Sequence, residues 1–143
     1  MDLRTRYPRS LKEKLAGHVH LGRMIDKCRA VLAGTQGEYI FPCSLDHKLL
    51  DFSRLTPEQF LQAVKVGTDH EVTSWFVRMA APHSGPEIDA WNKMMLEAGP
   101  DTEEKWAYFN KTRNAIASNR TDISTWADLL DFEEKRRPVK KPG

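Results

Sequence analysis

In the run HVHLGRMIDKCRAVLAGTQGEYIFPCSLD, residues 18–46, the spacing of apolar positions changes several times within a short stretch. Met24, Ile25, Cys28, Val31 and Leu32 fall at the i, i+1, i+4, i+7, i+8 positions of one helical face, with Arg23, Asp26, Lys27 and Ala30 on the other side. This predicts an amphipathic helix from about 23 to 33, with Gly22 as its N-cap and Gly34 as the left-handed residue that closes it. Glu38-Tyr39-Ile40-Phe41 then favours an extended chain, which Pro42 stops because it has no N–H to give a ladder. Ser44 is placed to cap a helix beginning Leu45-Asp46, its aspartate in the first turn where the helix dipole favours negative charge.

Downstream the helical pattern repeats with clear punctuation. Thr56-Pro57-Glu58-Gln59 is a capping box with proline at the first helical position, opening a helix whose Phe60, Leu61 and Val64 face inward until Gly67. Thr68-Asp69-His70-Glu71 repeats the device ahead of Val72, Trp75, Phe76 and Met79, and Ala81-Pro82 breaks that helix. Ser84-Gly85-Pro86-Glu87 opens the next, with Ile88, Trp91, Met95 and Ala98 at helical spacing and Gly99-Pro100 behind them. Thr102, Glu103 and Glu104 begin a longer one carrying Trp106, Phe109 and Ile116 towards Asn119. The last, from about Ser124 to Lys135, buries Ile123, Trp126, Ala127 and Leu130. Its Leu129 and Phe132 widen the apolar face beyond one stripe, so this helix is either wedged between neighbours or set at a subunit contact. The four tryptophans all fall at core-facing positions and read as packing anchors. The pattern predicts a mainly α fold, a compact bundle of about seven short helices with at most one small strand or hairpin.

Several of these runs together carry a resemblance. PRSLKEKLAGHVHL with RMIDKCRA, the GEY after it, Cys43-x-Leu45-Asp46, Trp91-Asn92 and the closing RTDISTWADLLDFEEKR resemble a bacterial family known as domain of unknown function 5069. The resemblance spans nearly the whole chain. It implies a single small, mostly helical domain and no established activity. Gly22 stands where relatives are expected to carry proline, and both residues suit a helix start. Residues 1–135 are accordingly expected to form one helical domain headed by a basic extended arm, 1–17, with 136–143 a disordered basic tail.

A chain of 143 residues is long enough to bury a core without disulfide or metal staples. No apolar run approaches membrane-spanning length and MDLRTRYPRS has no hydrophobic signal core, so a cytoplasmic protein without membrane contact is expected. In that reducing setting Cys28 and Cys43 should be free thiols, Cys28 acting as a small core hydrophobe. The formal charge of +2 is unevenly spread, with both ends basic and the stretch between 49 and 134 acidic. Nucleic-acid binding needs a continuous basic stripe, and this distribution suits a homodimer or intramolecular pairing better. The arm holds Arg4, Arg6, Arg9, Lys12 and Lys14 around Tyr7-Pro8 and should pack Leu3, Tyr7, Leu11 and Leu15 inward. Its bases read as a solvated edge before they read as an anion-binding arm.

Three constellations could carry chemistry. His18, His20, Cys43 and His47 include His-x-His and a Cys-to-His step of one helical turn, which zinc accepts, but no C-x-x-C or H-E-x-x-H is present and no metal or cofactor is expected. Cys43 beside a helix N-terminus, with His47 one turn on as base, could be a catalytic nucleophile; the plainer reading is a cysteine filling a gap. Arg23, Asp26 and Lys27, completed by Glu38 and Tyr39, could bind a small anionic or polar ligand. The plainer reading there is a surface ladder with Arg29, worth about 0.3 kcal/mol per pair. If the chain covers that face, however, its charges must be paired, and a buried paired network is a site candidate. There is no Gly-rich phosphate loop in the right context, no Gly-x-Ser-x-Gly elbow and no Rossmann fingerprint. Asp128, Asp131, Glu133 and Glu134 read as a solvated acidic surface. The resulting expectation is a small cytoplasmic binding or interaction module, with a small enzyme or metal protein using residues 18–47 as the alternative.

Overall fold

The computed structural model describes residues 1–136, which divide by their backbone contacts into two units, 1–88 and from 89 onward. The first unit opens with an irregular arm that runs into a two-stranded antiparallel hairpin, β1 (Lys14–Leu15) and β2 (His18–Val19), with Lys14 opposite Val19 and Leu15 opposite His18. Ala16 and Gly17 turn it with φ of 51° and 79°. Two successive positive φ values are what a two-residue hairpin needs to match strand twist.

Helix α1 (Leu21–Ala33) follows at once. It starts two residues earlier than the periodicity indicated, with left-handed His20 (φ 72°) rather than Gly22 in the N-cap position. Gly34 ends it as expected, at φ 70°, its N–H reaching the carbonyls of Ala30 and Val31. The expected outward face is not outward: Leu21 to Cys28 are all buried, including Arg23, Asp26 and Lys27 at 3, 4 and 3 % exposure. The cause is the arm, which is drawn across the helix by Leu3 N–H to Thr35 O (2.9 Å), His20 N–H to Leu11 O (2.8 Å) and the burial of Leu3 and Leu11. Tyr7 stays exposed instead of packing inward.

The predicted extended run at 38–41 does not form a strand. Gly37 and Glu38 make a turn closed by Tyr39 N–H to Gln36 O at 3.1 Å, and the rings that follow are used otherwise, Tyr39 beneath Arg23 and Phe41 near Phe60. An extended segment becomes a strand only with a ladder partner beside it, and among the described residues none pairs with this one. Helices α2 (Ser44–Ser53), α3 (Pro57–Val66) and α4 (Asp69–Met79) complete the unit, together with the start of α5 (Gly85–Glu97). Cys43, not Ser44, is the N-cap of α2, because Asp46 reaches back to the Cys43 N–H at 2.9 Å. The Thr56/Gln59, Thr68/Glu71 and Ser84/Glu87 capping boxes all close reciprocally. Helix α1 packs on β1 and α3, and α3 on α4, around Leu11, Val19, Met24, Ile25, Cys28, Leu49, Phe60 and Phe76.

The second unit contains the rest of α5, α6 (Glu103–Ala117) and α7 (Trp126–Glu133). Thr125 caps α7 by accepting from Asp128 N–H, so the helix starts at Trp126, two residues later than expected. Phe109, Ile123 and Leu129 form the core with Trp126 and Phe132 packed against it, so Trp126, Leu129 and Phe132 of α7 pack inside their own unit, while Leu130, expected to be buried, is part-exposed. Gly99 is required by a close approach: a Cβ there would meet Ser124 O at 2.5 Å. Trp106 is 38 % exposed, so only its edge contact with Phe109 makes it an anchor. Asp128, Asp131 and Glu134 are buried at 5–6 %, contrary to the solvated surface expected; Arg136, which pairs with Glu134 at 2.6 Å, is tied down with them. Residues 137–143, most of the predicted tail, lie outside the described residues.

Among the described residues the protein is thus mainly α, with seven helices and one two-stranded hairpin. None of those helices is long and apolar enough to cross a membrane.

Candidate functional site

The covered side of α1 holds two groups of buried polar contacts, one around Asp46 and one around Asp26. Asp46, with no exposed surface, accepts from His20 Nε2 at 2.7 Å, Lys27 Nζ at 2.6 Å and the Cys43 N–H at 2.9 Å. Burial pushes this carboxyl up, but the His20 bond and the Lys27 charge outweigh it and hold Asp46 well below the ordinary carboxylate range. It is therefore ionised, and because an ionised carboxylate only accepts, His20 carries its proton on Nε2. Burial drives the His20 pKa down against the pull of Asp46, with Lys27 and Arg23 adding to the fall, so the imidazole is neutral. Its Nδ1 is buried with no hydrogen-bond partner among the described residues.

A second carboxylate on the same helix, Asp26, is gripped bidentately by Arg9 at 3.1 Å on both oxygens and takes the Arg9 N–H at 2.8 Å. Arg9 reaches on to Asp69 at 3.1 Å, and Arg29 meets Asp69 at 2.9 Å and Gly67 O at 3.2 Å. Arg23 donates to Arg9 O and lies over the Tyr39 ring, 5.7 Å from its centroid. The Asp46 group so ties α1 to α2, and the Asp26 group ties the arm, α1 and the start of α4. Lys27 also points a hydrogen at Cys43 Sγ, 3.3 Å away.

The first unit also carries a cleft of about 400 Å³ between the hairpin turn and the end of α4. Phe76, Val77, Ala80 and Pro82 give it an apolar lining, and His18, His83 and Arg78 are its polar members. His18 is 8 % exposed and meets Phe76 edge-on at 5.1 Å; its Nδ1 faces Ala16 O at 2.8 Å and so carries the proton. Burial lowers the His18 pKa against that bond, and His83 lowers it further. His83 stacks on Phe52 at 3.9 Å and gives its Nε2 proton to Phe52 O at 2.8 Å. Arg78 is exposed and has no ion-pair partner among the described residues.

The predicted residues are thus partly gathered. Arg23, Asp26 and Tyr39 belong to the Arg9 group and Lys27 to the Asp46 group, whereas Glu38 is exposed and bonds none of them; Arg9 and Asp46 take the place it was given. The Asp26–Arg29 ladder is replaced by separate pairs, Asp26 with Arg9 and Arg29 with Asp69. His18, His20, Cys43 and His47 are not brought together: His18 lines the cleft, His20 binds Asp46 and His47 is exposed. Among the described residues no group of three or more His, Cys, Asp or Glu could hold a metal ion. The group beside Cys43 sulfur is Lys27, not His47. Sequence reasoning missed Asp46 as a hub, Arg9 as a clamp, and His83 and Arg78 altogether. The Cys43-x-x-Asp46 spacing signalled the first; nothing local signalled the others.

These features define a small helical protein with an internal ion network and a histidine-lined cleft. The family model of a domain of unknown function, DUF5069, matches residues 5–136, and the chain belongs to that family. No curated protein matches it in sequence.

Proposed function

We propose that the chain is a small-molecule-binding module whose ligand enters the His18–His83 cleft. The observation that carries this reading is a cleft of about 400 Å³ in which apolar side chains meet the imidazoles of His18 and His83, the latter 3.6 Å from Glu87, and the Arg78 guanidinium, which has no carboxylate partner among the described residues. That volume and lining are those of ordinary ligand sites, which combine an apolar surface with a few converging polar groups. Arg78 calls for an anionic group at the rim, and Phe76, Val77 and Pro82 call for a compact apolar body, so the ligand class is a small aromatic or branched carboxylate. The neutral His18 ring adds a polar contact without placing a second charge in the apolar part. The reading puts the protein in the cytoplasm, where its two free cysteines persist as thiols.

Benzoate, phenylacetate and isovalerate serve as probes. Ligand at a hundredfold over Kd stabilises the native state by about 2.7 kcal/mol, so binding reads as a saturable rise in melting temperature. The rise is expected in the wild type and should be lost in Arg78→Ala and weakened in His83→Ala. No rise with any probe, or a rise that both variants keep, would overturn the proposal.

A further inference from the structure

Of the two cysteines, Cys28 has no exposed surface, and burial pushes its thiol pKa well up, which leaves it protonated and inert. Cys43 is half-buried and lies at the head of α2. Its sulfur has an unusual neighbour: the Lys27 ammonium, 3 % exposed, sits 3.3 Å from Sγ. The two are held in register by one oxygen, because Asp46 Oδ2 accepts both Lys27 Nζ at 2.6 Å and the Cys43 N–H at 2.9 Å. Asp46 thereby fixes the Lys27 ammonium and the Cys43 backbone, from which Sγ reaches to within 3.3 Å of Nζ. Lys27 has no other side-chain partner among the described residues, so its second contact is the sulfur itself.

We infer that Cys43 and Lys27 form a peroxide-dependent modification site, closing under oxidation into a covalent Lys27 Nζ–O–Sγ Cys43 bridge. Two equivalents of hydrogen peroxide are consumed. In the first step Sγ attacks a peroxide oxygen, the O–O bond breaks, water leaves and sulfur, two electrons poorer, becomes the sulfenic acid. In the second, an N–O bond forms between Lys27 Nζ and the sulfenic oxygen as the O–H bond and two N–H bonds are lost. The nitrogen gives up two electrons to the second peroxide, which becomes two waters, and one proton is released as the ammonium turns into the neutral bridge nitrogen. The enclosed position of Lys27 favours this fate for the sulfenic acid, because the amine lies 3.3 Å from the sulfur while a second thiol, the usual trap, is sealed in the core. The inference is independent of the His18–His83 cleft.

The experiment treats the full-length protein with hydrogen peroxide and reads the intact mass. One added oxygen and two lost hydrogens give a species about 14 Da heavier, returned to the starting mass by dithiothreitol. Tandem spectra should join the peptides holding Lys27 and Cys43, and the species should be absent from Cys43→Ser and from Lys27→Arg, which keeps the charge against Asp46. Should Lys27→Arg not fold, the joined peptides of the wild type decide the matter alone. Gains of only about 16, 32 or 48 Da on Cys43, the ladder of free sulfur acids, would overturn the inference, as would a Cys43 left unmodified.

Discussion

Asp46 shows at the level of single residues how little of a buried site can be read from neighbours in sequence. Its donors His20 and Lys27 are 26 and 19 positions away, and only the Cys43 N–H, three positions off, is local. The local bond was within reach of sequence reasoning as a first-turn acid; the other two exist only because α1 and α2 meet. Asp46→Asn keeps the shape but removes the charge opposite a 3 % exposed Lys27. Breaking one side of a buried pair costs on the order of 3 kcal/mol, and a urea titration should show a loss of that size. Lys27→Met in the same background should recover part of it, since removing both charges removes the unpaired one. The same logic explains why Arg23, Asp26 and Lys27 were misread as an outer face. Periodicity sees a polar side of a helix but not the arm that covers it, and Arg9, one base among five in that arm, is the residue that makes covering tolerable.

For the helices themselves, the punctuation was legible because capping is a matter of three or four adjacent residues. Thr56/Gln59 and Thr68/Glu71 close as their spacing dictates, and Gly34 adopts the left-handed closure expected of it. Thr56→Ala should cost about 1 kcal/mol in chemical denaturation, the usual worth of an N-cap. Gly99→Ala should cost more, because its Cβ would collide with the backbone at Ser124 O rather than with a movable side chain. One small strand or hairpin was allowed for, but its place was not legible because Ala16-Gly17 lacks the Asn-Gly or Asp-Gly pair that marks such turns. The extended run at 38–41 failed for the converse reason, a favourable composition with no neighbouring strand.

Across the whole molecule, protonation links the cleft, the network and stability. His18 and His20 both have folded pKa values lowered from 6.5, so the unfolded chain binds protons more readily and each group weakens the fold as pH falls below that value. Asp46 acts in a lower window: its depressed pKa contributes stability above the ordinary 3.8, lost as pH falls towards the folded value. Urea midpoints should therefore fall from pH 7 to pH 5, and His20→Gln, which can still donate to Asp46, should flatten that slope. A flat profile in the wild type would mean that neither imidazole is held neutral. What the sequence determined by itself was the class of fold, the helices, most of their caps and most of the core, since these rest on contacts within a few residues and on the burial of apolar faces. Only the tertiary structure decided which charges went inside and which two histidines shared a cleft. Those outcomes depend on long-range packing, where an ion is buried only if a partner arrives from a distant part of the chain.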